Sequence, residues 1–298
     1  MGSVKISLWP NLVYPTADIL AEAQAADQAG WFGVWVADHY MPNTGTEQID
    51  DGPMHEVWGI LPALAATTQN VRIGPLVSPT TFHHPALLAN RSATIDHIAG
   101  GRFVLGMGAG WQINEHRAYG VELPSAKVLV DRFEEAIEVT RSLLDKPRTT
   151  FEGTHFQLTD APCEPKPVAS PLPILVGAKG PRMLRVVARH ADEWNTWGTP
   201  ESAGAVRAKL LEACEQVGRD PATMRTTVNL NLDLDGDNPG PSGMTQTGSV
   251  SELQDLIGRY VEKGFDEFIL PTRFLGATGD QRIERAAQLK AEVIDPAL

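Results

Sequence analysis

Short β-rich runs and longer amphipathic stretches alternate along this chain from one end to the other. KISLWP (5–10) reads as a strand, and TADILAEAQAADQAG (16–30) spaces its apolar residues as a helix, with Thr16 placed to cap it and Gly30 to stop it. GVWVADH (33–39) is the next strand. A helix over 56–68, in spite of Pro62, leads to a strand over 71–77, and a helix over 85–99 begins with Pro85 in its first turn. The strand RFVLGMG (102–108) follows, then a long amphipathic helix over 125–144. TTFEGTHFQL (149–158) has the pattern of a hairpin turning at Glu152-Gly153, and APCEPKPVASPLP (161–173) is rich in proline. Further on, strands over 174–178, 193–197, 224–232 and 267–270 are each followed by a helix, over 180–191, 201–218, 251–264 and 279–294.

Eight strand-then-helix units in unbroken order imply a parallel sheet with helical crossovers, and eight is the number that closes a TIM (β/α)8 barrel. A doubly wound open sheet is the alternative, because the pattern counts strands without ordering them. The expected organisation is a single domain over 1–298, with an insertion around 146–173 and a loop at DGDNPGPSGMTQTG (235–248). In such a barrel the functional groups belong at the carboxyl ends of the strands.

Charge narrows the partners. With 37 Asp and Glu against 25 Lys and Arg, the formal net charge is −12, whereas nucleic acid and anionic membranes select a basic footprint. A small-molecule partner is expected, with neither nucleic acid nor membrane. No apolar run approaches the roughly 18 to 20 residues that span a bilayer. Two cysteines without CxxC spacing, and a start with no basic-then-apolar leader, suit a reduced cytoplasm.

Three strand ends carry candidate chemistry. In GMGAGWQINEH (106–116) glycines alternate, but Trp111 stands where the dinucleotide fingerprint G-x-G-x-x-G places its third glycine. The glycines are better read as room for a flat ring or a closely approaching backbone, with Trp111, Asn114 and Glu115 over the barrel mouth. In ILVGAKGPRMLRVV (174–187) a strand passes through a glycine-containing turn into a helix, which aims backbone N–H groups at an anion, and Lys179, Arg182 and Arg185 add positive charge. VWVADHY (34–40) ends in Asp38 and His39, and imidazole suits proton transfer near neutral pH. No H-E-x-x-H or H-x-H spacing is present, so no metal is expected. Trp9, Trp111, Trp194 and Trp197 all fall near strand ends and suggest an apolar mouth for a flat ring or hydrophobic substrate.

VWVADHY, VRIGPLVSPTTFHHPALLA, GGRFVLGMGAGWQINEHRAYG and ILVGAKGPRMLRVVARHADEWN together resemble the successive signatures of the luciferase-like flavin and deazaflavin oxidoreductases, most closely the coenzyme F420-dependent subgroup. The resemblance runs from about residue 4 to 200. It implies a TIM barrel with an insertion, a homodimer, and a cytoplasmic enzyme that moves hydride between the deazaflavin C5 and an apolar organic substrate. His39 is then the expected catalytic residue and Asp38 an expected cofactor contact, both beside the deazaflavin, and a non-prolyl cis peptide within Gly74 to Ser78 puts Pro75, Leu76 and Val77 behind the ring. Ala109, Gly110 and Asn114 are expected at the cofactor, and Gly177, Ala178, Lys179, Gly180 and Pro181 at its phosphate. Trp9, Trp111 and Trp194 are the expected substrate residues. Where sugar-phosphate dehydrogenases of the family place a catalytic acid this chain has Trp111, which argues against a sugar phosphate and leaves Glu115 nearby as the expected catalytic acid. The alternatives are a monooxygenase using reduced FMN and oxygen, a non-catalytic flavin-binding protein on the same fold, and a metal-dependent barrel hydrolase.

Overall fold

The computed structural model describes residues 4–234, 236 and 245–298. The eight strands foreseen from the pattern form one parallel ring: β1 (Lys5–Trp9), β2 (Gly33–Val36), β3 (Arg72–Pro75, resuming at Ser78–Pro79), β4 (Leu105–Gly108), β5 (Ile174–Gly177), β6 (Glu193–Trp197), β7 (Arg225–Asn229) and β8 (Glu267–Pro271). Their order is 3-2-1-8-7-6-5-4. The resumed half of β3 pairs with β4, Ser78 opposite Met107, and Ile73 bridges Phe103, so the sheet closes on itself. That closure is a TIM barrel and excludes the doubly wound alternative.

The crossover helices are α1 (Thr16–Gln28), α2 (Val57–Thr67), α3 (Pro85–Ala99), α4 (Ile113–Ala118), α5 (Ala126–Asp145), α6 (Pro181–His190), α7 (Pro200–Gln216), α8 (Val250–Glu262) and α9 (Gly279–Gln288). Pro62 sits inside α2, and the hairpin forms as antiparallel strands Thr149–Glu152 and Gln157–Ala161. Three local expectations change. Pro15, not Thr16, holds the cap position of α1. The strand read over 224–232 breaks at Leu230, after which Asn231–Leu234 pairs in parallel with Thr245–Gly248; of the loop foreseen over 235–248, positions 235 and 237–244 lie outside the described residues. The last helix passes into a π-helical turn at Leu289–Ile294.

Alternation along the strands divides the apolar residues into two cores. The larger lies between strands and helices, and a smaller one fills the lumen with Trp35, Leu76, Val104, Leu175 and Ile269, against which Trp9 and Val77 pack. Fully burying such a side chain is worth about 1.5–3 kcal/mol. Beneath the lumen core an ionic layer closes the amino end of the barrel. Glu267 Oε1 accepts from Ser7 Oγ at 2.5 Å and Trp35 Nε1 at 2.9 Å, its Oε2 accepts from Arg225 Nη2 at 3.1 Å, and Arg72 binds Glu193. Burial pushes Glu193 above the usual carboxylate range, with Arg72 opposing it. No helix among the described residues is long and apolar enough to cross a membrane.

Candidate active site

The carboxyl end of β3 is bulged. The Leu76-Val77 peptide is cis, inside the Gly74 to Ser78 window, and Leu76 joins the lumen core. The glycines of β4 explain how the bulge fits. A Cβ on Gly106 would stand 1.9 Å from the Pro75 carbonyl oxygen, and one on Gly108 would stand 2.7 Å from Val77 Cγ2. The space opened by these glycines is therefore filled by the neighbouring strand, not left clear for a ring. Gly110 has a φ of 99°, and its Cβ would meet Thr81 Oγ1 at 2.6 Å, so both backbone and space require glycine there. Ala109, beside it, is partly buried.

Just past β2, His39 and Glu115 meet. His39 Nδ1 lies 3.0 Å from Glu115 Oε1, while Glu115 Oε2 accepts from the Tyr40 backbone N–H at 2.9 Å. Glu115 is 1 % exposed and His39 20 %. A carboxylate only accepts, so Nδ1 carries the proton of the neutral ring and Nε2 keeps its lone pair. The Trp111 ring stands edge-on to His39, centroids 5.5 Å apart, and is 59 % exposed at the mouth. Gln112 Nε2 donates to the Met41 carbonyl and Asn114 Nδ2 to the Pro42 carbonyl, each at 2.9 Å, which ties α4 to the loop after His39. The buried oxygens of both amides, like Trp9 Nε1, have no hydrogen-bond partner among the described residues.

Asp38 faces into the protein. Its Oδ2 accepts from Ser78 Oγ at 2.5 Å, His83 Nε2 at 2.8 Å and Trp58 Nε1 at 3.1 Å, and the residue is 1 % exposed. One carboxylate thus ties the end of β2 to the bulge, α2 and the segment entering α3, and this bracing is what the structure shows of it.

The β5 end builds the second half of the site. The turn from Gly177 is held by Trp194 Nε1, which donates to the Ala178 carbonyl at 2.8 Å, and it enters α6 at Gly180 with no side-chain cap. A Cβ on Gly180 would meet nothing within 4 Å. The amino end of α6 thus leaves the N–H groups of Arg182 and Met183 outside the helical ladder, Pro181 having none to give and Leu184 N–H already donating to the Gly180 carbonyl at 2.9 Å. Arg182 is drawn off by Asp131 and the Lys127 carbonyl. Lys179 instead sets its ammonium 3.1 Å above the Trp197 ring centroid, where burial holds it below the ordinary lysine range.

Trp194, expected to touch substrate, is a correction. It is fully buried in the core between strands and helices and stacks on Phe265. Side chains alternate along a strand, so Asn195 and Trp197 take the other face of β6. Trp197 is 51 % exposed at the strand end, and Asn195 Nδ2 donates to Thr227 Oγ1 and to Asn229 Oδ1. The signal for Trp197 was the parity of EWNTW relative to the buried strand centre. Elsewhere, Glu134, Glu138 and His190 bring three potential metal ligands together at the carboxyl end of α6, away from the mouth, with Glu134 paired to Arg189.

A closed parallel barrel with its polar, shaped groups gathered at the strand carboxyl ends belongs to the α/β-barrel proteins that bind small molecules at that face. Sequence comparison then places the chain within that class. It belongs to the luciferase-like monooxygenase family, whose family model matches residues 5–238. The chain is 33 % identical over 220 residues to an F420-dependent glucose-6-phosphate dehydrogenase of Kineococcus radiotolerans, covering 72 % of this chain and 63 % of that protein. It is 31 % identical over 212 residues to an F420-dependent hydroxymycolic acid dehydrogenase of Mycobacterium tuberculosis, covering 71 % and 57 %. The chain thus matches less than two thirds of the length of either. A solved F420-dependent secondary alcohol dehydrogenase, in complex with an F420-acetone adduct, superposes with a TM-score of 0.84 at 23 % identity over 99 % of both chains, a likeness of fold.

Proposed function

We propose that this chain is an F420-dependent oxidoreductase acting on an apolar alcohol or carbonyl compound. The observation that carries the reading is the Glu115-held imidazole of His39 beneath the exposed Trp111, beside a bulged third strand. The residues present fit a deazaflavin. The bulge at Leu76-Val77 offers an apolar backing for a ring, Asn114 Oδ1 is a buried acceptor with no donor among the described residues, and the uncapped amino end of α6 is open to an anion with Lys179 beside it. Ala109, Gly110 and Asn114 would hold the ring side, and residues 177–181 the phosphate.

When bound, the deazaflavin supplies a hydride donor and acceptor at its C5. His39 Nε2 takes the proton of a substrate hydroxyl as the alcohol becomes a carbonyl, and returns it in the opposite direction. Glu115 acts through His39: it fixes which nitrogen carries the proton, orients the ring, and stabilises the cation formed when Nε2 is protonated. Trp111 gives the substrate an apolar wall at the place where a sugar-phosphate dehydrogenase would carry an acid, which suits an uncharged substrate better than a sugar phosphate.

Equilibrium titration of the purified protein with F420 and with FMN, in both redox states, tests the cofactor. Turnover of a panel of secondary alcohols and ketones then tests the chemistry. We expect F420 to bind, and His39→Ala to retain that binding while losing turnover. Tight FMN binding without F420 binding would overturn the reading in favour of a flavin monooxygenase.

A further inference from the structure

Helices α5 and α6 pack against each other on the outside of the barrel, and charged side chains join them rung by rung. Asp131 of α5 pairs with Arg182 of α6, Glu134 with Arg189, and Arg141 with Asp192, two residues past the end of α6. One rung is different. Glu138 Oε1 meets His190 Nε2 at 3.5 Å, and Nε2 is buried with no hydrogen-bond partner among the described residues. Leaving a buried polar atom unpaired is costly, and here a carboxylate stands in front of it without satisfying it.

That separation is long for a hydrogen bond, whose heavy atoms lie about 2.7–3.2 Å apart. It is right for two ligands of one ion: zinc held tetrahedrally at about 2.0–2.2 Å from each ligand sets neighbouring ligand atoms about 3.3–3.6 Å apart. A third ligand is at hand. One atom each from Glu134, Glu138 and His190 lie within 4.8 Å of one another. The two glutamates, four residues apart, share a face of α5, and Glu134 gives Oε1 to Arg189, which leaves Oε2. His190 is the last residue of α6, where the aligned peptide dipoles favour a cation. Burial, reinforced by Arg189, holds its imidazole below the usual histidine range, so the ring is neutral, as a metal requires. Glu138 is 41 % exposed, which leaves an ion a way in. Imidazole with two carboxylates suits a borderline divalent ion, whereas magnesium and calcium favour shells made of oxygen alone.

We propose that Glu134, Glu138 and His190 hold a zinc ion, with water as the fourth ligand, that clamps the carboxyl end of α6 to α5. The site lies away from the mouth and does not depend on which cofactor binds there. No sequence spacing announces it, because its carboxylates and its imidazole sit on different helices.

The test is calorimetric titration of tag-free, chelator-treated protein with zinc chloride, and with magnesium chloride as a second probe. The wild type should bind one zinc per chain and gain in Tm as zinc is added, while magnesium does neither at the same concentrations. His190→Gln and Glu138→Gln should each weaken zinc binding at least about tenfold and lose the zinc-dependent gain in Tm, thermal unfolding in chelator confirming that both are folded. Arg189→Gln removes the cation that competes for Glu134 and should bind zinc more tightly than the wild type. A wild type that binds no zinc, or zinc binding unchanged in either His190→Gln or Glu138→Gln, overturns the proposal, as does magnesium binding as strong as that of zinc. Unchanged or weaker zinc binding in Arg189→Gln removes Glu134 from the ligands and overturns the three-residue site.

Discussion

Gly108 and Val77 should behave as one unit, and a double-mutant cycle measures it. A Cβ on Gly108 would lie 2.7 Å from Val77 Cγ2 and 3.9 Å from Val77 Cβ, with nothing else among its nearest neighbours. Gly108→Ala therefore forces one methyl into another, and overpacking of this kind costs about 1–3 kcal/mol. Val77→Ala removes two methyls from a partly buried site, a loss of about 1–2 kcal/mol at roughly 0.8 kcal/mol per buried carbon. Combined, the new methyl occupies the volume the valine gave up, so the double variant should be more stable than the sum of the singles by about 1–2 kcal/mol. Urea unfolding of all four proteins at 25 °C gives the coupling. Gly106→Ala is the control: its Cβ would meet the Pro75 carbonyl oxygen at 1.9 Å and the carbonyl carbon at 3.0 Å, backbone that no truncation of Val77 removes. It should be the most destabilising of the set and show much weaker rescue. Additivity of Gly108→Ala and Val77→Ala within about 0.5 kcal/mol would refute the claim that the glycines of β4 exist to seat the bulge of β3.

Further outcomes follow from other parts of the molecule. Glu115→Gln should lower kcat about ten- to a hundredfold with little change in KM, because it disturbs the orientation and protonation of His39 while leaving binding groups in place; an unchanged kcat would remove Glu115 from the mechanism. Arg282 is fully buried, paired with Glu22 at 2.6 Å and Asp18 at 2.9 Å; Arg282→Ala strands the Glu22 carboxylate and should cost about 3–5 kcal/mol in urea unfolding. At Asp27, burial, the largest single influence, raises the carboxyl, but N–H donation from Val71, Asn70 and Gln69 together brings it below the usual aspartate range. A depressed folded value stabilises above the unfolded pKa of about 3.9 and loses that stabilisation as pH falls through the folded value. The difference in Tm between wild type and Asp27→Asn should then be largest above pH about 4 and shrink below it; a difference constant down to pH about 2 would rule the linkage out.

The barrel itself was written in periodicity. Each of the eight strands and its helix announces itself through alternating or helical spacing of apolar residues, whereas closure rests on the pairing of the resumed β3 with β4, which the count of eight allows but does not order. Site residues were legible where chain position was enough: His39 falls just past the end of β2, Glu115 follows the glycine run at the end of β4, and the glycine turn before α6 has its own local signature. That His39 and Glu115 touch was not legible, because 76 positions separate them and only the register of β2 against α4 joins them. Trp194 and Trp197 show the other difficulty. Both lie in the five-residue strand β6, and the three-residue step between them sends one into the helix-facing core and the other to the mouth. Asp38 looked like a ligand for a ring, and its three donors, Trp58, Ser78 and His83, come from three later segments that no local pattern connects to it.

The layer of Glu267, Arg225, Arg72 and Glu193 under the lumen core has a consequence for traffic. A barrel stoppered at its base is a vessel with one doorway. Two ligands that occupy it together cannot exchange independently: whichever lies deeper arrives first and departs last, and the shallower one arrives second and departs first. Steady-state kinetics of two molecules sharing such a mouth should show a compulsory order set by depth, and the inhibition patterns of each product would reveal which of the two sits at the bottom.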